Sequence, residues 1–115
     1  MSPMHNRRRV PSTAAGGTLP DEYVLLDVRE PHEWEAGHAP DSWFCPLRDL
    51  EAMRFRLPMN RTIAVICRSG HRSADAVVKL QDWGFSAVNV AGGLLEWQAA
   101  GKPVVTDAGT EGTVA

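Results

Sequence analysis

The segment that most restricts how this chain can fold is the apolar run Thr62-Ile63-Ala64-Val65-Ile66. It leads without a spacer into Cys67-Arg68-Ser69-Gly70-His71-Arg72-Ser73, and a helical pattern begins at Ser73. A β-branched run that is apolar at consecutive positions has no solvent face, so it predicts a strand covered on both sides. Ala74, Val77, Val78 and Gln81 then mark one face of a helix. The chain therefore passes from a buried strand through a short Gly-containing turn into a helix. A cysteine at the head of such a turn is a candidate nucleophile. Backbone N–H groups and the positive end of the helix favour a thiolate or a bound anion there, and Arg68 and Arg72 add two positive charges.

The same alternation recurs along the sequence. Tyr23-Val24-Leu25-Leu26-Asp27-Val28 reads as a second two-sided strand, with a polar exit at Asp27 and Arg29. Pro31 suits the first turn of a short helix over 32–36, and Gly37 suits its left-handed cap. Trp43-Phe44-Cys45 is a short strand ended by Pro46; Leu47, Leu50, Met53, Arg54 and Leu57 then predict a helix that stops before Pro58. Gly84 is a cap before a strand over 87–90, and Gly92-Gly93 opens a last helix over 94–100. Val10-Pro11-Ser12-Thr13-Ala14 fits an edge strand, where proline is tolerated. Strand and helix in strict alternation predict a parallel α/β sheet with right-handed crossovers.

A chain of 115 residues makes one domain, expected over 10–105, with a flexible N-terminal segment over 1–9 and a flexible C-terminal tail over 106–115. A formal net charge of -2 gives no electrostatic case for nucleic acid. Apolar runs are too short to span a bilayer, and Arg7-Arg8-Arg9 is followed by Val10-Pro11-Ser12-Thr13 instead of a hydrophobic signal core, so no membrane association and a cytoplasmic location are expected. Cys45 and Cys67 are too few for a disulfide framework and lack Cys-x-x-Cys spacing. His32, His38 and His71 lack zinc spacing, so no metal is expected. Cys45, within an apolar strand, reads as a small buried hydrophobe.

Three ordered blocks carry a resemblance. They are Leu26-Asp27-Val28-Arg29-Glu30 with Glu33-Trp34 and Gly37-His38-Ala39-Pro40; the loop 67–73; and Ala91-Gly92-Gly93-Leu94-Leu95-Glu96-Trp97. On these the chain resembles the single-domain rhodanese family of sulfurtransferases. The resemblance implies a single rhodanese-like domain with an open five-stranded parallel sheet flanked by helices. It makes Cys67 the catalytic residue, carrying sulfur as a persulfide within an active-site loop of Arg68, Ser69, Gly70, His71, Arg72 and Ser73. Arg72 matches the family's recurring loop arginine, and its planar fork suits an oxyanion such as thiosulfate. Ser69 and Ser73 are candidate donors to sulfur or substrate, with N-capping the main role of Ser73. Asp27 and Arg29 support the site, Asp27 by pairing with a loop arginine or capping backbone N–H groups. The implied partners are a small anionic sulfur donor such as thiosulfate and a thiol, cyanide or protein acceptor, with no cofactor. Two departures stand out: Asp41 replaces the Gly that many members carry after the His-x-Pro triplet, and the family's N-terminal helix is shortened or missing.

Three functions compete. The first is sulfur transfer through a Cys67 persulfide. The second is a rhodanese-like relay or protein-binding module without free small-molecule turnover. The third is phosphatase or arsenate reductase chemistry, which also places cysteine and arginine at the ends of an anion-binding loop. Here four residues separate Cys67 from Arg72 where the related phosphatases have five, a smaller cradle suited to a sulfur atom.

Overall fold

The computed structural model describes residues 10–115, and in it the central apolar run is strand β4 (Ile63–Ile66), wholly buried along its length. Its side chains divide between the two faces of the sheet. Ile63 and Val65 join a cluster with Leu26, Val77, Leu80 and Phe85, whereas Ala64 and Ile66 join one with Val90, Leu94 and Trp97. Burying an isoleucine or valine side chain contributes about 1.5–3 kcal/mol as an upper estimate, so this one strand anchors both layers of the core.

Around it, β1 (Ser12–Ala14), β2 (Val24–Asp27), β3 (Trp43–Phe44) and β5 (Ala87–Ala91) complete a five-stranded sheet in the order β1-β5-β4-β2-β3. Every pairing is parallel, as the alternation predicts. β1 accommodates Pro11 at the sheet edge by offering its carbonyl, which accepts the Asn89 N–H at 2.8 Å. Strands β2 to β5 are connected by α1 (Pro31–Ala36), α2 (Leu50–Met53) and α3 (His71–Asp82), and α4 (Gly93–Ala99) follows β5. No helix lies between β1 and β2. Among the described residues no helix is long and apolar enough to cross a membrane. From β2 the chain proceeds outward to β3, and from β4 outward the other way to β5. The carboxyl ends of β2 and β4 therefore flank the point where the winding reverses, the usual crevice of open α/β sheets.

Several local expectations change. The helix expected over residues 47–57 is a 3-10 turn (Leu47–Asp49), the single turn of α2 and a second 3-10 turn (Arg54–Arg56). Gly37 has φ 164, extended and not left-handed; glycine is needed because a Cβ would lie 2.6 Å from the Thr113 backbone. Asp41 holds the left-handed conformation at φ 63, which a glycine would adopt without the roughly 1–2 kcal/mol steric cost. The C-terminal segment, loose by composition, instead returns over α1. Val105 and His38 exchange backbone hydrogen bonds at 2.8 and 2.9 Å, Gly112 N–H donates to Val104 O, and Thr113 N–H donates to Ala36 O. The expectation for residues 1–9 lies outside the described residues.

Candidate active site

The turn after β4 is shaped by Gly70, whose φ of 105 ends the loop and lets α3 begin at His71. The Gly92-Gly93 pair at the start of α4 locks the loop from outside. Leu94 N–H donates to Cys67 O at 2.9 Å and Leu95 N–H to Arg68 O at 3.1 Å. A Cβ on Gly93 would lie 2.5 Å from both carbonyl oxygens, so only glycine lets α4 approach this closely.

Within the turn Cys67 is 1% exposed. Its Sγ accepts the Gly70 N–H at 3.1 Å and the Ser73 N–H at 3.4 Å, and lies 3.2 Å from Ser73 Oγ. The sulfur thus satisfies an orphan donor of the first helical turn, the task usually performed by an N-cap side chain. This corrects the expected role of Ser73. Because α3 starts two residues earlier than its apolar periodicity indicates, Ser73 is the third helical residue and its buried hydroxyl faces β5 instead of capping. There it donates to Asn89 Oδ1 at 2.5 Å, while Asn89 Nδ2 donates to Gly70 O at 3.2 Å.

The remaining loop side chains point to separate partners. Arg68 Nε donates to Ala115 O at 2.9 Å, and Ser69 Oγ meets His71 Nδ1 at 3.2 Å on the exposed rim. Arg72 directs both Nη atoms to Glu33 on α1, at 2.7 and 2.9 Å. An anion recruited by Arg72 would have to share that fork with Glu33 or displace it. Glu33 Oε1 also accepts the Glu30 N–H at 2.9 Å, closing the capping box of α1.

The Arg72 hydrogen bonds hold the Glu33 carboxyl at about 2, well below its ordinary 4.5 and against the opposing effect of burial. Because the folded value lies below the unfolded one, the pair's contribution is fully present above about pH 4.5 and is lost as pH falls through 2. Glu33→Gln should cost about 2 kcal/mol at neutral pH and flatten the decline of stability across that window. Urea unfolding at a series of pH values measures this; identical pH profiles for variant and wild type would show that the pair adds nothing.

Asp27 and Arg29 stand at the carboxyl end of β2, both fully buried. Of the two roles expected of Asp27, the backbone N–H cap is present, on the Arg29 N–H, but the pairing with a loop arginine is not. Instead its carboxylate accepts Arg29 Nε at 3.0 and 3.1 Å, Arg29 Nη2 at 2.9 Å and the Arg29 N–H at 3.0 Å. Arg29 Nη2 also donates to Gly37 O at 2.7 Å, tying β2 to the end of α1. Loop arginines are unavailable to Asp27 because Arg72 is held by Glu33 and Arg68 turns toward the C-terminal segment.

Burial pushes the Cys45 thiol up, with Asp49 adding to the effect, and the thiol donates weakly to Pro46 O at 3.6 Å. That favours the protonated thiol. Among the described residues no three histidine, cysteine, aspartate or glutamate side chains stand together as a metal-ligand group. The sequence shows Glu33 only as part of the first block, and it gives Asn89 no role. The available signal for Asn89 was a lone amide in an otherwise apolar strand.

The family described as "Rhodanese-like domain" matches residues 15–100. A protein of Allochromatium vinosum named sulfurtransferase is 32% identical over 90 residues, covering 77% of this chain and 84% of that one. A rhodanese-related protein of Thermoplasma volcanium superposes with a TM-score of 0.75 at 37% identity, covering 83% of this chain and 97% of the other. A Bacillus subtilis protein with a sulfur carrier name is 39% identical over 74 residues, covering 64% of this chain and 40% of that one. By this family match over most of its length, its relatives and its sheet order, the chain belongs to the rhodanese-like domain family.

Proposed function

We propose that the protein is a sulfurtransferase that moves a sulfane sulfur through a persulfide on Cys67. The observation carrying this reading is the convergence of the Gly70 and Ser73 N–H groups on one atom, Cys67 Sγ. In the first step the Cys67 thiolate attacks the outer sulfur of thiosulfate or of a persulfide donor. A sulfur–sulfur bond forms at Cys67 while the donor's own sulfur–sulfur bond breaks, and sulfite or a thiolate leaves with the electron pair. In the second step cyanide, a thiol or a protein acceptor attacks the outer sulfur and restores the thiolate. Preorganised N–H donors stabilise negative charge on sulfur without reorganising. Neither step needs a cofactor.

A sulfur relay to a protein partner uses the same persulfide. It is favoured by the sulfur carrier name of the Bacillus subtilis relative. Phosphatase chemistry is the minor alternative. Its loop would be short by one residue, with four between Cys67 and Arg72 where the related phosphatases have five.

Intact mass after thiosulfate treatment tests the proposal. One added sulfur, removed by dithiothreitol, is expected, together with negligible hydrolysis of aryl phosphates. An unchanged mass with robust phosphate release would overturn the assignment. Turnover with cyanide and small thiols separates the free enzyme from the relay.

A further inference from the structure

We propose that Asn89 is a positioning residue that fixes the direction of the Ser73 hydroxyl and so holds Cys67 as a hydrogen-bond donor in the resting loop. The inference rests on the reading of Cys67 as the reacting sulfur. Asn89 lies on β5 at 9% exposure. Its Nδ2 is identified by its partner, since the Gly70 carbonyl at 3.2 Å can only accept. Oδ1 therefore faces Ser73 Oγ at 2.5 Å. An amide oxygen cannot donate, so the single hydroxyl proton of Ser73 points to Asn89.

Cys67 Sγ, 3.2 Å from the same Oγ, is left facing its lone pairs. In the neutral state the S–H bond supplies the missing proton, giving a directed chain from Cys67 through Ser73 to Asn89. When the thiol ionises, those lone pairs face an anion until the hydroxyl turns and breaks its bond to Asn89. Asn89 and the Cys67 thiolate thus compete for one proton. The other charged or titratable groups around the sulfur are Arg68 in the loop, His71 and Arg72 on α3, Glu33 on α1, and the Asp27–Arg29 pair beside β2. All stay in place in the variants below.

The test measures the rate at which iodoacetamide alkylates Cys67 as a function of pH, in a Cys45→Ser background. Asn89→Leu frees the Ser73 proton, so the thiolate fraction at a given pH should rise roughly three- to tenfold and the profile should move to lower pH. Asn89→Asp keeps the acceptor and adds negative charge, moving the profile to higher pH. In a Ser73→Ala background, Asn89→Leu should produce no further shift. Movement in the same direction for both Asn89 variants would overturn the proposal, as would an Asn89→Leu effect that persists without the Ser73 hydroxyl. Either result would leave Asn89 only a packing role through Gly70. If Asn89→Leu fails to fold, the near-isosteric Asn89→Asp still decides, because an unmoved or lowered profile refutes the mechanism. Alkylation needs no sulfur donor. A protein with the expected shifts that gains no sulfur from thiosulfate would therefore refute sulfur transfer and support the role of Asn89.

Discussion

Cys67→Ser takes up no sulfur from thiosulfate and passes none to cyanide, a loss on the order of a thousandfold or more, while Cys45→Ser keeps most of its turnover. The hydroxyl can accept the same Gly70 and Ser73 N–H groups as the sulfur does, so the turn retains its shape. What disappears is the accessible anion and the capacity to form a sulfur–sulfur bond. Cyanide-dependent thiocyanate formation checks the activity, and far-ultraviolet circular dichroism with urea midpoints checks the fold. Turnover above about a tenth of wild type in Cys67→Ser would refute the mechanism.

The second large effect is on stability. Asp27→Ala removes the acceptor of four hydrogen bonds from Arg29 and leaves a guanidinium fully buried without its counter-charge. Breaking a buried pair from one side costs about 3–5 kcal/mol, which for a domain of this size lowers Tm by about 15 °C or more. Replacing both partners by apolar residues of similar volume should recover much of that loss, because no buried charge is then stranded. Thermal denaturation of Asp27→Ala and of the Asp27→Leu, Arg29→Met double variant measures both. A single variant melting within about 3 °C of wild type would show that the pair is not a structural tie.

Where a feature depends on neighbours in the chain, the sequence discloses it. The unbroken apolar run at 63–66 reads directly as a central strand, and Pro31 opens α1 at the position its fixed φ favours. Cys67 is placed by the same local logic. Features set by distant partners are silent. Ser73 has the preferred chemistry of an N-cap, but a left-handed Gly70 and a sulfur doing the capping start the helix earlier. Nothing local to Arg72 names Glu33 as its partner. The composition of the C-terminal segment reads as loose because the reason for Gly112 lies elsewhere: a Cβ there would lie 2.7 Å from the Gly37 Cα.

The Glu33–Arg72 pair also bears on the order in which the molecule is assembled. It joins residues 39 apart, and the Asn89 contacts to Ser73 and Gly70 span 16 and 19. Loop-closure entropy must be met before such distant contacts can form, whereas the first turn of α3 can form locally. The cysteine turn therefore acquires its final shape only after α1 and β5 have docked. The buried, hydrogen-bonded setting of Cys67 Sγ is thus a late milestone of folding.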